Sequence, residues 1–180
     1  MAHYEQAEFC ISIKMKYPRF FKEIIVLDGG SLDINGTNRY LFEDCNYTGC
    51  DLAKGPNVDL ICPIHEIGIY QEMFDTIIST ECLEHDQYYS LSLRKMYSIL
   101  KPGGLLLITC ATLGRPEHGT KRSDDNACSP FTNDEYYRNL TEEDIRASFG
   151  QPLDNLFDNY SFEVNTVVQD IYFWGIKKEE

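Results

Sequence analysis

The chain has 180 residues, 43% of them apolar and 13% aromatic, enough for one packed domain spanning 1–180 and a composition that argues against disorder. A formal net charge of −13 argues against sequence-independent nucleic-acid binding, which needs lysine and arginine to neutralise phosphates. No apolar run reaches membrane length and no signal-peptide core opens the chain, so a cytoplasmic protein without membrane contact is expected.

Residues 1–22 read as an N-terminal helical segment, a short helix from about Glu5 that Tyr17 and Pro18 stop, with Phe20 and Phe21 packing on a sheet. Ile24, Ile25, Val26 and Leu27 then form an unbroken apolar run, the pattern of a parallel strand covered on both faces. It ends on Asp28, Gly29 and Gly30, and glycines just past a strand's carboxyl end let a ligand approach the backbone. The spacing is not that of a dinucleotide loop: Leu32 stands where the second glycine belongs, and the third is displaced to Gly36. Asp33 in the middle of the loop would repel a pyrophosphate, whereas a ligand with an ammonium group favours acidic neighbours.

A helix is expected from near Gly36 to Asp44, capped by Asn35. Strands are expected over Tyr47 to Asp51, Val58 to Cys62 and Phe74 to Thr80. From about Gln87 to Leu100 the apolar side chains Leu93, Met96, Tyr97 and Leu100 fall on one helical face, and Lys101, Pro102, Gly103 and Gly104 end that helix. Leu105 to Cys110 is a further buried strand. Residues 111–140 show little apolar periodicity and are read as an active-site loop. Thr141 and Asp144 have the spacing of a capping box for a helix ending before Gly150. Residues 160–178 form a C-terminal hairpin of two β-rich runs, Tyr160 to Val168 and Asp170 to Lys177. The fold expected is α/β and Rossmann-like: a seven-stranded, mostly parallel sheet with an antiparallel last strand and helices on both faces. The seven cysteines, without a CxxC pair, read as reduced core thiols, and the spacing of the four histidines defines no metal site.

The segments VLDGGSLDING, the acidic Asp51, FDTIIST, ECLEH and LKPGGLLLIT follow one another over about residues 24 to 110. In that order the chain resembles the class I S-adenosylmethionine-dependent methyltransferases, particularly the small ones with little more than the core fold. The resemblance implies S-adenosylmethionine as cofactor. It implies that Asp28, Gly29 and Gly30, with Ser31 and Gly36 of the same turn, hold its methionine end, and that Asp51, beside Leu52, accepts from both ribose hydroxyls. A carboxylate offers two acceptor oxygens for such a diol. Pro63, Ile64 and His65 stand where the family contacts adenine, although Pro63 replaces an aspartate common in relatives and supplies neither carboxylate nor NH. Ser79 and Thr80, with Glu81 beside them, are expected beneath the sulfonium.

The reaction implied is attack by an oxygen or nitrogen of an unidentified acceptor, a small molecule, glycan or protein, on the activated methyl group. Two histidines compete for attention. His85 is expected to anchor the helix that follows it, whereas His118, beside Glu117 in the long loop, is a candidate base near neutral pH or a plain surface histidine. Tyr136, Tyr137 and Arg138 either cover the site or pack the loop. Two other readings stay open: a catalytically silent binding or regulatory subunit completed by a partner, and an NAD-dependent oxidoreductase, against which the Leu32 spacing and the lack of a catalytic tyrosine-lysine pair both count.

Overall fold

Val26 and Leu27 are both fully buried, one against each of the two cores that flank the sheet, the condition a central parallel strand imposes on its sequence. They belong to β1 (Ile25–Gly29) in a computed structural model that describes residues 3–124 and 135–179. The other strands are β2 (Asn46–Asp51), β3 (Leu60–Ile61), β4 (Phe74–Thr80), β5 (Leu100–Ala111), β6 (Phe157–Asn165) and β7 (Asp170–Lys177). They form one sheet in the order β3-β2-β1-β4-β5-β7-β6. β7 alone runs against its neighbours, paired antiparallel with β5 on one side and β6 on the other. The order reverses between β1 and β4, where an open α/β sheet leaves a crevice at the carboxyl ends of its strands.

Among the described residues three α-helices cover this sheet: α1 (Tyr4–Lys16) on one face, α2 (Tyr89–Ile99) and α3 (Glu142–Ser148) on the other. In α1 the buried positions Gln6, Phe9, Cys10 and Ile13 recur at three- and four-residue steps. Phe9 stacks on Tyr172 of β7 with ring centroids 4.6 Å apart, and His3 Nε2 meets Asp170 Oδ2 at 2.5 Å, so the helix is fastened along its length. α2 buries Leu93, Met96 and Ile99 in the opposite core. At the start of α3 both bonds of a capping box are made: Asp144 N donates to Thr141 Oγ1 at 3.1 Å and Thr141 N donates to Asp144 Oδ2 at 2.9 Å. Thr141→Ala is therefore expected to cost about 1 kcal/mol, read in a thermal melt as a fall of roughly 2–4 °C.

Several expectations need correction. No α-helix forms over residues 36–44; a single 3-10 turn, Asn38–Leu41, takes its place, and its cap is Thr37 rather than Asn35. The backbone beyond it is already committed, because Glu43 N donates to Phe21 O at 2.9 Å and Glu23 N donates to Glu43 O at 3.0 Å. β3 is shorter than expected. Asp59 breaks it early, its N–H donating to Gly49 O at 2.9 Å while its carboxylate accepts from Gly49 N at 2.8 Å. His85 does not fasten α2 by a hydrogen bond; Asp86 does, accepting from Tyr88 N at 2.7 Å and from Ser92 Oγ at 2.5 Å. The six cysteines among the described residues are free thiols, while Cys128 and part of the long loop lie outside them.

Candidate active site

The carboxyl ends of β1, β2 and β4 open into a cavity of about 890 Å³, within the range of small-molecule cofactor sites. Among the described residues no lysine or arginine lines it, whereas Asp28, Asp51, Glu66, Glu81 and Asp86 all reach it. Such a cavity is hostile to a pyrophosphate and favourable to a ligand carrying positive charge.

Asp28, the last residue of β1 before its terminal glycine, forms the floor. It is 1% exposed, and its carboxylate accepts from Tyr47 Oη at 2.5 Å and from Asn38 Nδ2 at 3.2 Å. Asn38 also donates to Thr80 Oγ1 at 3.0 Å, tying the ends of β1 and β4 together. Burial pushes the Asp28 carboxyl up to about 6 in spite of these two donors. Burial also raises the Tyr47 phenol far out of the physiological range, with the adjacent Asp28 adding to it, so Tyr47 stays a donor. Asn38 and Tyr47 were not legible as site residues: one lay in the supposed helix, the other at the start of a strand.

Beyond Asp28 the chain turns at Gly30, whose N–H donates to Cys50 O at 2.8 Å. Its φ of +81° and the 2.4 Å that would separate a Cβ from Cys82 Sγ leave no room for a side chain. Gly30, Ser31 and Gly36 line the cavity, but Gly29 does not; a Cβ there would stand 2.9 Å from Ile64 Cδ1, so Gly29 makes space for the neighbouring wall. Asp33 does not reach the cavity either. It accepts from Gly36 N at 2.8 Å, so its charge serves the loop itself.

Asp51, at the end of β2, accepts from Leu32 N at 3.0 Å on one oxygen and from Leu52 N at 2.7 Å on the other. The first of these, Oδ2, keeps a further lone pair for a ligand donor, while Oδ1 also accepts from Ala53 N at 3.4 Å. Next along the wall come Leu52, Pro63, Ile64 and His65, with the His65 ring 4.7 Å from that of Tyr88. Thr80 and Glu81 follow, whereas Ser79 does not line the cavity; its Oγ donates to Gly29 O at 2.8 Å. His3, Tyr4, Gln6 and Ala7 of the N-terminal segment also line the cavity, with His3 Nε2 3.8 Å from Glu81 Oε2, a role no motif in that segment signals.

His85, His118, Gly119 and Tyr136 line the cavity as well. His118 does not pair with Glu117, which accepts instead from Thr120 Oγ1 at 2.6 Å and from Arg122 Nε at 3.1 Å. Its Nδ1 lies 3.1 Å from Pro116 O and 3.2 Å from Tyr137 Oη, and its Nε2 faces Glu84 Oε1 at 3.8 Å. Burial lowers the pKa of His118 and takes that of His85 down to about 3, so both imidazoles are neutral at pH 7. Burial pushes the Glu84 carboxyl up to about 8, with the nearby Glu81 adding to it.

Comparison with known proteins adds a family match over part of the chain and a shared fold. The methyltransferase domain family matches residues 35–108. In solved structures the chain is similar to the 1,6-didemethyltoxoflavin-N1-methyltransferase of Burkholderia thailandensis, crystallised with S-adenosylhomocysteine (17% identity, TM-score 0.63, 97% of this chain and 79% of that one). It is likewise similar to phosphoethanolamine N-methyltransferase 2 of Haemonchus contortus (18% identity, TM-score 0.67), covering 96% of its own length and 53% of that chain, so it spans about half of that enzyme. The YcgJ protein of Bacillus subtilis matches over its whole length at 14% identity and a TM-score of 0.60, with 96% of this chain covered. No curated protein sequence matches. The domain match over residues 35–108 and the likeness to these structures are consistent with a class I methyltransferase fold, with S-adenosylmethionine as its cofactor. The cavity fits that cofactor: it is acidic, free of lysine and arginine among the described residues, and closed at Gly30 to anything but a glycine.

Proposed function

We propose that this chain transfers the methyl group of S-adenosylmethionine to an oxygen or nitrogen atom of an acceptor that enters between α1 and the loop carrying His118. The observation that supports this most is the acid-lined cavity, with Asp28 and Asp51 at successive strand ends and no basic side chain among the described lining residues. In this reading Asp28 receives the ammonium group of the methionine end, beside the backbone of Gly30, Ser31 and Gly36. Asp51, with Leu52, receives the ribose hydroxyls, and Pro63, Ile64 and His65 hold the purine through apolar and stacking contact.

When bound, the cofactor supplies a methyl group already activated by a positive sulfur. The residues of the chain then bind, orient and exclude water. His3, Tyr4, Gln6 and Ala7 of the N-terminal segment and Tyr88, Gly119 and Tyr136 all line the cavity.

Isothermal titration is expected to show about one S-adenosylhomocysteine bound per chain. The same ligand at a hundredfold excess over its Kd should stabilise the fold by about 2.7 kcal/mol in a thermal shift, while NAD leaves the melting temperature where it was. A chain that unfolds at the same temperature with and without S-adenosylhomocysteine would overturn the proposal.

A further inference from the structure

Glu84 is fully buried, yet both of its carboxylate oxygens lack a hydrogen-bond partner among the described residues. His85 Nδ1 and His118 Nε2 are buried and unpartnered in the same way. One ligand atom from each of these three residues lies within 4.8 Å of the others. From this geometry we infer that Glu84, His85 and His118 form a binding site for a divalent metal ion at the acceptor end of the cavity.

Four buried polar atoms without partners are costly, at about 1–3 kcal/mol each, and side chains around them normally rearrange until such groups are satisfied. Here they converge instead. The 3.8 Å between His118 Nε2 and Glu84 Oε1 is too long for a hydrogen bond. It suits two donors that each stand about 2.0–2.2 Å from one ion between them. Two imidazole nitrogens and one carboxylate are a donor set for divalent transition metals that leaves coordination positions open.

The surroundings of His118 fit the same reading. Its Nδ1 lies 3.1 Å from Pro116 O, and a carbonyl there can only accept, so Nδ1 carries the proton and Nε2 presents its lone pair toward Glu84. A ligating histidine is commonly oriented through just such a bond from its other nitrogen. Tyr137 packs on both imidazoles, with ring centroids 5.3 Å from His85 and 5.0 Å from His118, and holds them at right angles to each other. A second group, His3, Glu81 and Asp170, also brings three ligand types together. It carries no such inference, because His3 already bonds Asp170 at 2.5 Å and Arg115 pairs with Asp170 at 3.1 Å.

His85 and His118 line the cavity, so an ion held by them would face an incoming acceptor. This last step rests on the methyltransferase reading and sharpens it: an ion with open positions selects acceptors that offer an oxygen ligand, such as a hydroxyl, over purely apolar ones.

The test uses the full chain stripped of metal and titrated with Mn²⁺, reading the resonance signal of the free aqua ion. About one Mn²⁺ per chain should bind, and Glu84→Gln and His118→Gln should each weaken binding by at least about tenfold. His118 sits on a loop, so H118Q keeps the comparison valid should E84Q fail to fold. Absence of Mn²⁺ binding by folded wild-type chain, or equal binding by a folded variant, overturns the site. Titration of the same sample with S-adenosylhomocysteine separates the two ideas. Mn²⁺ binding without cofactor-product binding leaves the metal site and removes the methyltransferase reading, and the reverse result removes the metal site alone.

Discussion

Asp51→Ala is expected to weaken S-adenosylhomocysteine binding by about two orders of magnitude, close to 2.7 kcal/mol. A hydrogen bond to a charged group contributes about 1.5–3 kcal/mol, and a carboxylate facing a vicinal diol is positioned to make two. The structural share of the loss is smaller. Asp51 is only partly buried, and the Leu32, Leu52 and Ala53 N–H groups that would lose its oxygens sit near the cavity, where water replaces them at a cost of about 1 kcal/mol. Binding and stability therefore respond differently, and a titration set beside a urea melt tells them apart. Asp51→Asn keeps the shape and one acceptor and should regain roughly tenfold of the affinity. Wild-type affinity in D51A would remove Asp51 from the site.

The place of Asp51 at the end of a strand was legible because a strand and the turn after it are set locally: the expected Tyr47 to Asp51 is within one residue of Asn46–Asp51. The capping box of Thr141 and Asp144 was legible for the same reason, since both bonds span three residues. Segments whose conformation is set from a distance were misread. Residues 36–44 look helical on their own, but Asn38 is drawn to Asp28 and Thr80 and Glu43 is held by Phe21 and Glu23, so only one turn survives. β3 shortens because Asp59 turns back on Gly49. The same limit applies to chemistry. Glu84 and His85 adjoin in the sequence, but His118 joins them only through the path of a loop after β5, and a buried carboxylate without a partner has no signature in a string of residues.

Asp28→Asn is expected to stabilise the fold at high pH while weakening the cofactor site. Asp28 ionises in the folded chain near pH 6, above the 3.8 of an exposed aspartate, and burial is the main cause. A group with a raised folded-state pKa contributes stability that is fully present below its unfolded value and is lost as pH rises through the folded one. Wild-type stability should accordingly fall between about pH 4 and pH 7 on account of Asp28, by roughly 2 kcal/mol. Asparagine cannot ionise, so the difference between variant and wild type should grow by that amount from pH 4 to pH 8 in urea melts. The growth with pH is the decisive reading, because any hydrogen bond from Tyr47 Oη or Asn38 Nδ2 that the amide fails to accept shifts the difference equally at both pH values. The same substitution removes the charge proposed to meet the cofactor's ammonium group, so S-adenosylhomocysteine affinity should drop by at least about tenfold at pH 8, and wild-type affinity should itself rise between pH 5 and pH 7 as Asp28 ionises. A stability difference that does not change with pH would mean that Asp28 titrates normally. Unchanged affinity in a stabilised D28N would mean that the buried carboxylate serves the turn, through Tyr47 and Asn38, and not the ligand. If both effects appear together, the strand-end carboxylate is a cost to the fold that the site requires.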